Sequence, residues 1–471
     1  MSAPATHRPF WQAIEAIFDP LTPADAALYT ERPAKYDATR RLAKDLRRPR
    51  VDRNYRRALI AGTVGNGKTS TLLHLAGELT RGRLVVFLDL WRHFERSVGD
   101  VAALDRLEPW ELLGLLGLAL VRAGEDRFGH RWGNEPRRLE AALARLQKYD
   151  TPEGPSVDLV KLASSLAIAA GGALSAASGV PVGELLSDVV GEVAADASLK
   201  ALDGAADAAA RTWRIGQSGR RARQDQEPEV RAVVQAVNTL ILGLQRALDR
   251  PLVFVIDGLD RIRNEARLEA LFIGSSLLAE LDCDAVVSGP EFMLHGASQR
   301  VRGFDCLEFS NLPVLQRADP SQLSAAGRDF FRDLVARRVA ALARPDPWAL
   351  AAPPDPLPAP VIDHLAYYSG GIVRDFVRLV HALAGEAWEA DVPAATRAMA
   401  DLVLDDLRLW KQQRIHAGEI ELLRTVMKDP AHGLPSSPHT VDLLRQQRLL
   451  PYPNDNQWYY PHPLLTMTLL K

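Results

Sequence analysis

The feature that most constrains this chain is a glycine-rich octapeptide between an apolar run and a helical pattern. Residues 57–62 (RALIAG) form the apolar run, and residues 70–78 carry the spacing typical of a helix. The octapeptide, GTVGNGKT (residues 62–69), satisfies the pattern G-x-x-x-x-G-K-[ST]. A buried strand, a tight loop and a helix in this order predict a phosphate-binding loop in an α/β fold.

The chemistry of phosphate binding explains why this loop needs these residue types. Glycines let the backbone turn tightly and direct N–H groups at phosphate oxygens, and the following helix adds its positive N-terminal end. Lys68 supplies a point charge for the β- and γ-phosphates, and the Thr69 hydroxyl is a ligand for Mg²⁺. The residues that we expect to contact the nucleotide are Gly62, Thr63, Val64, Gly65, Asn66, Gly67, Lys68, Thr69 and Ser70.

A second motif, DGLDR (residues 257–261), follows the apolar run PLVFVI. Because ligands of α/β sheets bind at the carboxyl ends of the strands, Asp257 is the candidate for a second contact to Mg²⁺. Asp260 is the candidate general base that polarises the attacking water. The alternative is that Asp260 only caps the next helix, since Asp is a favoured N-cap residue. The guanine-reading motif N-K-x-D does not occur in the sequence, which favours ATP over GTP.

Further apolar runs alternate with helical patterns along the chain, which predicts a mostly parallel sheet covered by helices on both faces. The expected strands include residues 83–90, 283–288 and 306–309. The expected helical regions are residues 1–50, with a break that Pro33 marks at Arg32-Pro33, and residues 110–147, 229–247, 321–410, 418–428 and 440–449. A hairpin is expected around residues 454–456, and two helices followed by a hairpin suggest a winged helix.

The predicted fold class is α/β: a P-loop NTPase three-layer α/β/α core with a parallel sheet, a helical lid subdomain and a C-terminal winged helix. The predicted domains are residues 1–50 for an N-terminal helical segment, 51–318 for the core, 319–410 for the lid and 411–471 for the winged helix. An Ala/Gly-rich insertion interrupts the core at about residues 150–225. Its uncharged part, residues 162–183, is long enough to span a membrane but has few large apolar side chains, so a buried helical hairpin is favoured.

Composition narrows the class of protein further. The 471 residues are 47% hydrophobic with a net charge of −2, which is typical of a globular chain and gives no general attraction to nucleic acid. The two cysteines, Cys283 and Cys306, have neither metal-ligand spacing nor a disulfide framework. The first residues lack the apolar run of a signal peptide, so we expect a cytoplasmic protein without a membrane span.

The motifs GTVGNGKTS and DGLDR, the second at the end of an apolar strand, resemble those of the STAND and origin-recognition-like branches of the AAA+ ATPases. Residues 29–46 are similar to the segment that brackets the adenine in such proteins, which implies contacts from Tyr29, Arg32 and Pro33. Residues 368–379 (YSGGIVRDFVRL) resemble the lid motif Gly-Gly-x-x-Arg. The resemblance therefore implies that Arg374 is the sensor-2 arginine that reaches the γ-phosphate.

The sequence also departs from this family. The sensor-1 position, just after the fourth strand, offers Ser288 or Glu291 rather than a clear Asn or Thr. Arg261 and Arg263 are the nearby candidates for an arginine finger, and neither stands in an evident motif. The last part of the chain, residues 447–470, resembles the wing of a winged-helix domain, and we expect its aromatic residues Trp458, Tyr459 and Tyr460 to pack onto the lid.

The distribution of charge disfavours DNA as the main partner. Residues 415–471 contain five basic and five acidic side chains, which is no phosphate-binding surface. Two basic segments lie elsewhere: residues 40–57 hold nine basic residues against two acids, and residues 211–223 hold five arginines and Trp213. A solvated helix face explains such segments in most proteins, and the second is the better nucleic-acid candidate because an aromatic side chain is interleaved.

These observations lead to one preferred function and two alternatives. The preferred function is a switch that binds and hydrolyses Mg-ATP, cycles through ADP, and acts with separately encoded protein partners in bacterial signalling or anti-phage defence. A homo-oligomer that forms in response to nucleotide fits this function. The first alternative is a DNA-associated AAA+ ATPase of the origin-recognition or loader type. The second is a nucleotide-binding scaffold that does not turn ATP over.

Overall fold

The computed structural model describes residues 6–25, 27–48, 54–95, 101–147, 157–158, 212–213, 227–294, 300–342 and 353–470. The chain divides into two compact units. The sheet unit contains residues 39–61 and 71–307, and the loop–lid unit contains residues 1–38, 62–70 and 308–471. Apart from two short strands, the Ala/Gly-rich insertion and the basic segment 211–223 lie outside the described residues, as does the uncharged run 162–183.

A five-stranded sheet forms the centre of the fold. Its strands are β1 (Arg57–Gly62), β2 (Leu84–Asp89), β5 (Leu252–Asp257), β6 (Asp284–Pro290) and β7 (Asp305–Glu308), and β3 (Val157–Asp158) pairs with β4 (Thr212–Trp213) outside it. The order is β2-β5-β6-β1-β7, and β5 runs parallel to both β2 and β6. Every residue of β2, β5 and β6 is buried, because helices cover both faces of the sheet and the strands are apolar throughout. The predicted P-loop α/β/α fold is confirmed.

The helices follow the predicted order with several corrections. They are α1 (Arg8–Ile17), α2 (Ala38–Arg47), α3 (Lys68–Leu79), α4 (Leu90–His93), α5 (Pro109–Asp126), α6 (Glu135–Gln147), α7 (Pro228–Leu248) and α8 (Glu265–Glu269). The break expected at Arg32-Pro33 begins earlier, after Ile17, because residues 18–33 contain three prolines and connect α1 to a short turn before α2. The helical stretch expected over residues 110–147 consists of two helices, separated where Gly129 adopts a positive φ of 62°.

A second set of helices builds the loop–lid unit after residue 308. It comprises α9 (Ala325–Leu342), α10 (Ala359–Tyr368), α11 (Val373–Ala390) and α12 (Arg397–Gln412). Their apolar faces share one core with α1, whose buried residues are Phe10, Trp11 and Ile14. The N-terminal helix is therefore part of the lid packing, which the sequence had not indicated.

The C-terminal part of this unit has the helix–helix–hairpin order that was predicted. It comprises α13 (Ala417–Lys428), α14 (Thr440–Arg445), β8 (Leu449–Tyr452), β9 (Trp458–Pro461) and α15 (Pro463–Thr466). The turn between the strands places Asp455 and Asn456 at positive φ (57° and 72°), the backbone that a tight hairpin turn of type I′ requires. The second helix ends at Arg445, four residues earlier than expected, because Gln447 is left-handed with φ 58°.

The hairpin aromatic residues alternate between two cores. Trp458 is buried in the lid core and Tyr460 packs against it, whereas Tyr459 lies in a small core with α13 and α14. The expectation that all three pack onto the lid is therefore wrong for Tyr459, since neighbouring residues of a strand point to opposite faces. Among the helices that the structure describes, none is long and apolar enough to cross a membrane.

Candidate phosphate-binding site

The glycine-rich loop joins β1 to α3, and each of its motif glycines has its own structural reason. Gly65 and Gly67 have positive φ values of 91° and 88°, which residues with side chains rarely adopt. Gly62 has ordinary backbone angles, but a Cβ at this position would lie 2.2 Å from the carbonyl oxygen of Phe309. The loop therefore keeps its shape only with glycine at these three positions.

Lys68, the first residue of α3, is buried against the loop backbone. Its Nζ donates to the carbonyl oxygens of Gly62 at 2.7 Å and Thr63 at 2.9 Å. These two hydrogen bonds fix the ammonium group beside the N-terminal end of α3. A positive charge and a helix N-terminus in one place favour a bound anion. The specific contact to the β- and γ-phosphates stays a prediction.

The lid motif meets the loop within the same unit. Gly370 and Gly371 have positive φ values of 64° and 80°, and a Cβ on Gly371 would lie 2.1 Å from the carbonyl oxygen of Leu312. This turn starts α11, whose second residue, Arg374, donates its backbone N–H to the carbonyl oxygen of Gly65 at 2.9 Å. The structure therefore places the backbone of Arg374 at the loop, where the Gly65 carbonyl accepts an N–H from the first turn of the helix. The contact of the Arg374 side chain with the γ-phosphate stays a prediction.

Arg32 supports the loop from the N-terminal segment. Its guanidinium lies over the Phe309 ring, 4.1 Å from the centroid, and donates to the carbonyl oxygens of Asn66 and Ser310. Burial lowers the pKa of Arg32 to about 10, which leaves it charged at neutral pH. Both Nη atoms of Arg32 donate to protein carbonyls, so Arg32 supports the loop. Its expected contact with the adenine stays a prediction.

The other predicted residues of this segment lie close to Arg32 in the chain. Tyr29 is buried, and Pro33 precedes a short turn at Ala34–Tyr36. The hydroxyl of Ser70 accepts the backbone N–H of Ala24 at 3.0 Å, which ties the start of α3 to the N-terminal segment.

Sequence reasoning missed one polar residue beside the loop. Asn311 is fully buried, and its side-chain carbonyl accepts a hydrogen bond from the Asn66 amide. Asn311 follows β7 by three residues, and no sequence pattern marks its contact with Asn66. The segment 309–312 thus contacts the loop twice, through the Phe309 carbonyl and the Asn311 amide.

The acidic motif ends β5 in the sheet unit. Asp257 is the last residue of the strand and is buried, and Gly258 turns the chain with φ 91°. A Cβ on Gly258 would lie 2.6 Å from the backbone nitrogen of Trp91, so only glycine permits this approach. The Gly258 N–H donates to the Ser288 hydroxyl at 3.0 Å, which places Ser288, one of the two sensor-1 candidates, at the motif.

Asp260 lies in a short 3₁₀ turn, Leu259–Arg261. The next helix, α8, is capped by Asn264, whose side chain accepts the Arg267 N–H. Asp260 therefore does not cap that helix, which removes the alternative reading of this residue. The guanidinium of Arg261 lies 4.8 Å from the centre of the Trp91 ring.

A third carboxylate, Asp89, accompanies this motif and was not predicted. It ends β2 in register with Asp257 and is buried, and its side chain accepts the Arg92 N–H at the start of α4. Burial raises the pKa of Asp89, and the Asp260 charge acts in the same direction, whereas the Arg92 hydrogen bond acts against both. The signal for it was the aspartate that closes the apolar run of residues 83–90.

Comparisons with known proteins give a distant likeness only. No family profile matches the sequence, and no curated protein is similar enough to match. The structure is similar to that of the Aeropyrum pernix Orc1 protein in complex with DNA, with 13% identity, a TM-score of 0.37 and coverage of 96% of both chains. It is also similar to the Drosophila ORC bound to DNA, with 10% identity, a TM-score of 0.36 and coverage of 98% of this chain and 92% of that one.

Proposed function

We propose that this chain binds Mg-ATP through residues 62–70 and hydrolyses it, as a conformational switch of the AAA+ and STAND type. The main support for the proposal is the conformation of the loop. Its three glycines each meet a backbone requirement, and its lysine is held beside a helix N-terminus. Phosphate oxygens are the ligands that such a combination of N–H groups and charge stabilises best.

The roles in hydrolysis rest on the sequence motifs. We assign Mg²⁺ binding to Thr69 and Asp257, activation of water to Asp260, and contact with the γ-phosphate to Arg374. Burial of Asp257 and the bond of Gly258 to Ser288 support a fixed motif at the end of β5. Tyr29 and Pro33 are assigned to the adenine, and Arg32 to support of the loop.

The output of the switch is proposed to lie in other proteins of the bacterial cytoplasm, in signalling or anti-phage defence. Arg374 belongs to α11, and α11 packs in the lid core together with the C-terminal hairpin. A conformational change of the phosphate loop would therefore shift α11 and, through the shared core, the C-terminal hairpin. We also propose that nucleotide promotes a homo-oligomer, which light scattering after size exclusion would show with a non-hydrolysable ATP analogue but not with ADP.

The central test is nucleotide binding and turnover with matched variants. Wild-type protein should bind a fluorescent ATP analogue and release phosphate in the presence of Mg²⁺. Lys68→Ala should abolish both, whereas Lys428→Ala, which removes an exposed lysine at the end of α13, should change neither. Asp260→Asn should retain ATP binding and lose turnover. Binding without turnover in the wild type would instead support the scaffold alternative.

The DNA-associated alternative is favoured by one described feature, the basic surface of α2. Arg40, Arg41, Lys44 and Arg47 are exposed on this helix, although Arg47 also pairs with Glu78. Fluorescence anisotropy with duplex DNA at low salt tests it. Affinity that falls steeply with salt and with Arg40→Glu and Lys44→Glu would favour a DNA-bound ATPase. Absence of binding at low salt would exclude that alternative.

A further inference from the structure

Gln447 occupies a backbone position that normally belongs to glycine. It follows the last turn of α14, and its N–H donates to the Leu444 carbonyl while the Arg448 N–H donates to the Leu443 carbonyl. This pair of bonds is the Schellman motif, whose left-handed residue is usually glycine. Gln447 takes that conformation with φ 58°, which is strained for a residue with a side chain. Such strain persists where the side chain has another role.

The side chain of Gln447 reaches the phosphate loop. Its Nε2 donates to the carbonyl oxygen of Val64, and its Oε1 accepts from Nζ of Lys411 at 3.1 Å. An amide is the side-chain group that offers one donor and one acceptor in this arrangement. A carboxylate could accept from Lys411 but could not donate to Val64, and a shorter amide would not span the same distance.

These contacts form a closed ring with the loop. Lys411 pairs with Asp375 at 2.9 Å, and Asp375 is the neighbour of Arg374, whose N–H bonds Gly65. Gly65 is in turn the neighbour of Val64. Two consecutive loop carbonyls, those of Val64 and Gly65, are therefore held by one connected network from the lid and the C-terminal hairpin region.

We infer that Gln447 is a positioning residue of the phosphate loop, which orients the Gly65 N–H toward a bound phosphate. In a trans peptide the C=O and the following N–H point in opposite directions, so the bond that holds the Val64 carbonyl also fixes the Gly65 N–H. Successive N–H groups fixed on one side of a loop bind phosphate oxygens. This inference rests on the proposed function, since it concerns the same loop.

The alternative explanation is that Gln447 has only a structural role, at the C-terminal end of α14. Glycine at this position would then relieve the backbone and leave ligand binding unchanged. The positioning role predicts the opposite for binding: Gln447→Gly should keep or raise the melting temperature and yet weaken the affinity for phosphate. The two explanations therefore differ in a single variant.

The experiment measures the dissociation constant of fluorescent methylanthraniloyl-ADP, the inhibition constant of pyrophosphate and the melting temperature. Gln447→Gly should raise both constants by about fivefold to tenfold, the loss of roughly one hydrogen bond. Asp249→Gly is the matched control, because Asp249 is an exposed left-handed residue at the end of α7 in the sheet unit. It should leave both constants unchanged.

Two substitutions of glutamine by glutamate, which is nearly the same size, test the hydrogen bond without changing the packing. Gln447→Glu removes the donor to Val64 and keeps the side-chain length, and Gln446→Glu places the same charge on the exposed neighbouring residue. The first should weaken ADP binding by more than the second. Wild-type affinity in both Gln447 variants would overturn the positioning role while leaving the proposed function intact. Absence of ADP binding by the wild type would overturn the proposed function, and the inference with it.

Discussion

Lys411 and Asp375 form a buried ion pair between α12 and α11, with Nζ 2.9 Å from the carboxylate and side chains that are 1% and 5% exposed. Arg378 and His462 lie at the other sides of Asp375, at 3.4 Å and 3.9 Å. A buried charge is tolerated when its partners remain in place. This pair therefore makes the lid sensitive to the loss of either side chain.

Lys411→Ala should lower the free energy of unfolding of the loop–lid unit by about 3 kcal/mol, because it leaves the Asp375 carboxylate buried with weaker partners. Urea unfolding followed by tryptophan fluorescence measures this change. Arg337→Ala is the control, because it breaks an exposed pair with Asp333 and should cost less than about 1 kcal/mol. The double variant Lys411→Met/Asp375→Leu should recover most of the stability. Equal effects of the two alanine variants would contradict the prediction.

Gly62→Ala should abolish nucleotide binding. The added Cβ would lie 2.2 Å from the Phe309 carbonyl oxygen, so either the loop or the segment after β7 must shift. Titration with a fluorescent ADP analogue checks this outcome. Gly385→Ala provides a contrast, because Gly385 lies within α11 with no atom near the position of its Cβ among the described residues. That variant should bind ADP normally and gain about 0.5–1 kcal/mol of stability.

The parts of the fold that depend on a local sequence pattern could be predicted. The contacts around the phosphate loop could not be predicted, because they join residues that are distant in the sequence. The strands β1, β2 and β5 stand out because each is a continuous apolar run, and the loop stands out because its glycines satisfy backbone needs within a few residues. Gln447 is separated from Val64 by 383 residues and Asn311 from Asn66 by 245. No periodicity or motif marks a polar residue whose partner is so distant, since only the packed lid brings the two together.

The lid motif lies between these two cases, because a local motif indicated a long-range contact. The resemblance of Gly-Gly-x-x-Arg to a lid motif predicts that the Arg374 side chain reaches the γ-phosphate, and the structure shows how the backbone of this motif contacts the loop. Gly371 permits the close approach of the Leu312 carbonyl, and the first turn of α11 then donates to the Gly65 carbonyl. The end of α14 was predicted wrongly because residue 447 is a glutamine, and a glutamine, unlike a glycine, gives no sign of a left-handed turn.

The stability of the sheet unit should fall in mild acid because of His93. Burial lowers the pKa of His93 to about 4, from an ordinary value of 6.5. A histidine whose folded-state pKa is depressed favours the folded state above pH 6.5, and this contribution is lost as the pH falls from about 6.5 towards 4. The loss at pH 4.5 is on the order of 2 kcal/mol.

Urea midpoints at pH 7 and pH 4.5 measure this dependence on pH. His93→Leu should flatten it, because no proton then binds at this position in the unfolded chain. His439→Gln, which removes an exposed histidine, should leave the wild-type dependence in place. If the His93 variant were to lose as much stability between the two pH values as the wild type, burial of His93 would not be the cause.

Arg374→Ala should separate the two contributions of this residue to the phosphate loop. Its backbone N–H bonds the Gly65 carbonyl whatever the side chain is, so the loop should keep its shape and its affinity for ADP should change less than about twofold. The guanidinium is the group assigned to the γ-phosphate, and its removal should lower kcat for ATP by about 100-fold, as expected for loss of a donor to transition-state charge. Steady-state phosphate release and ADP titration measure the two effects, with Arg445→Ala as a control at the end of α14. A parallel loss of ADP affinity would show that the side chain supports the loop itself rather than the γ-phosphate.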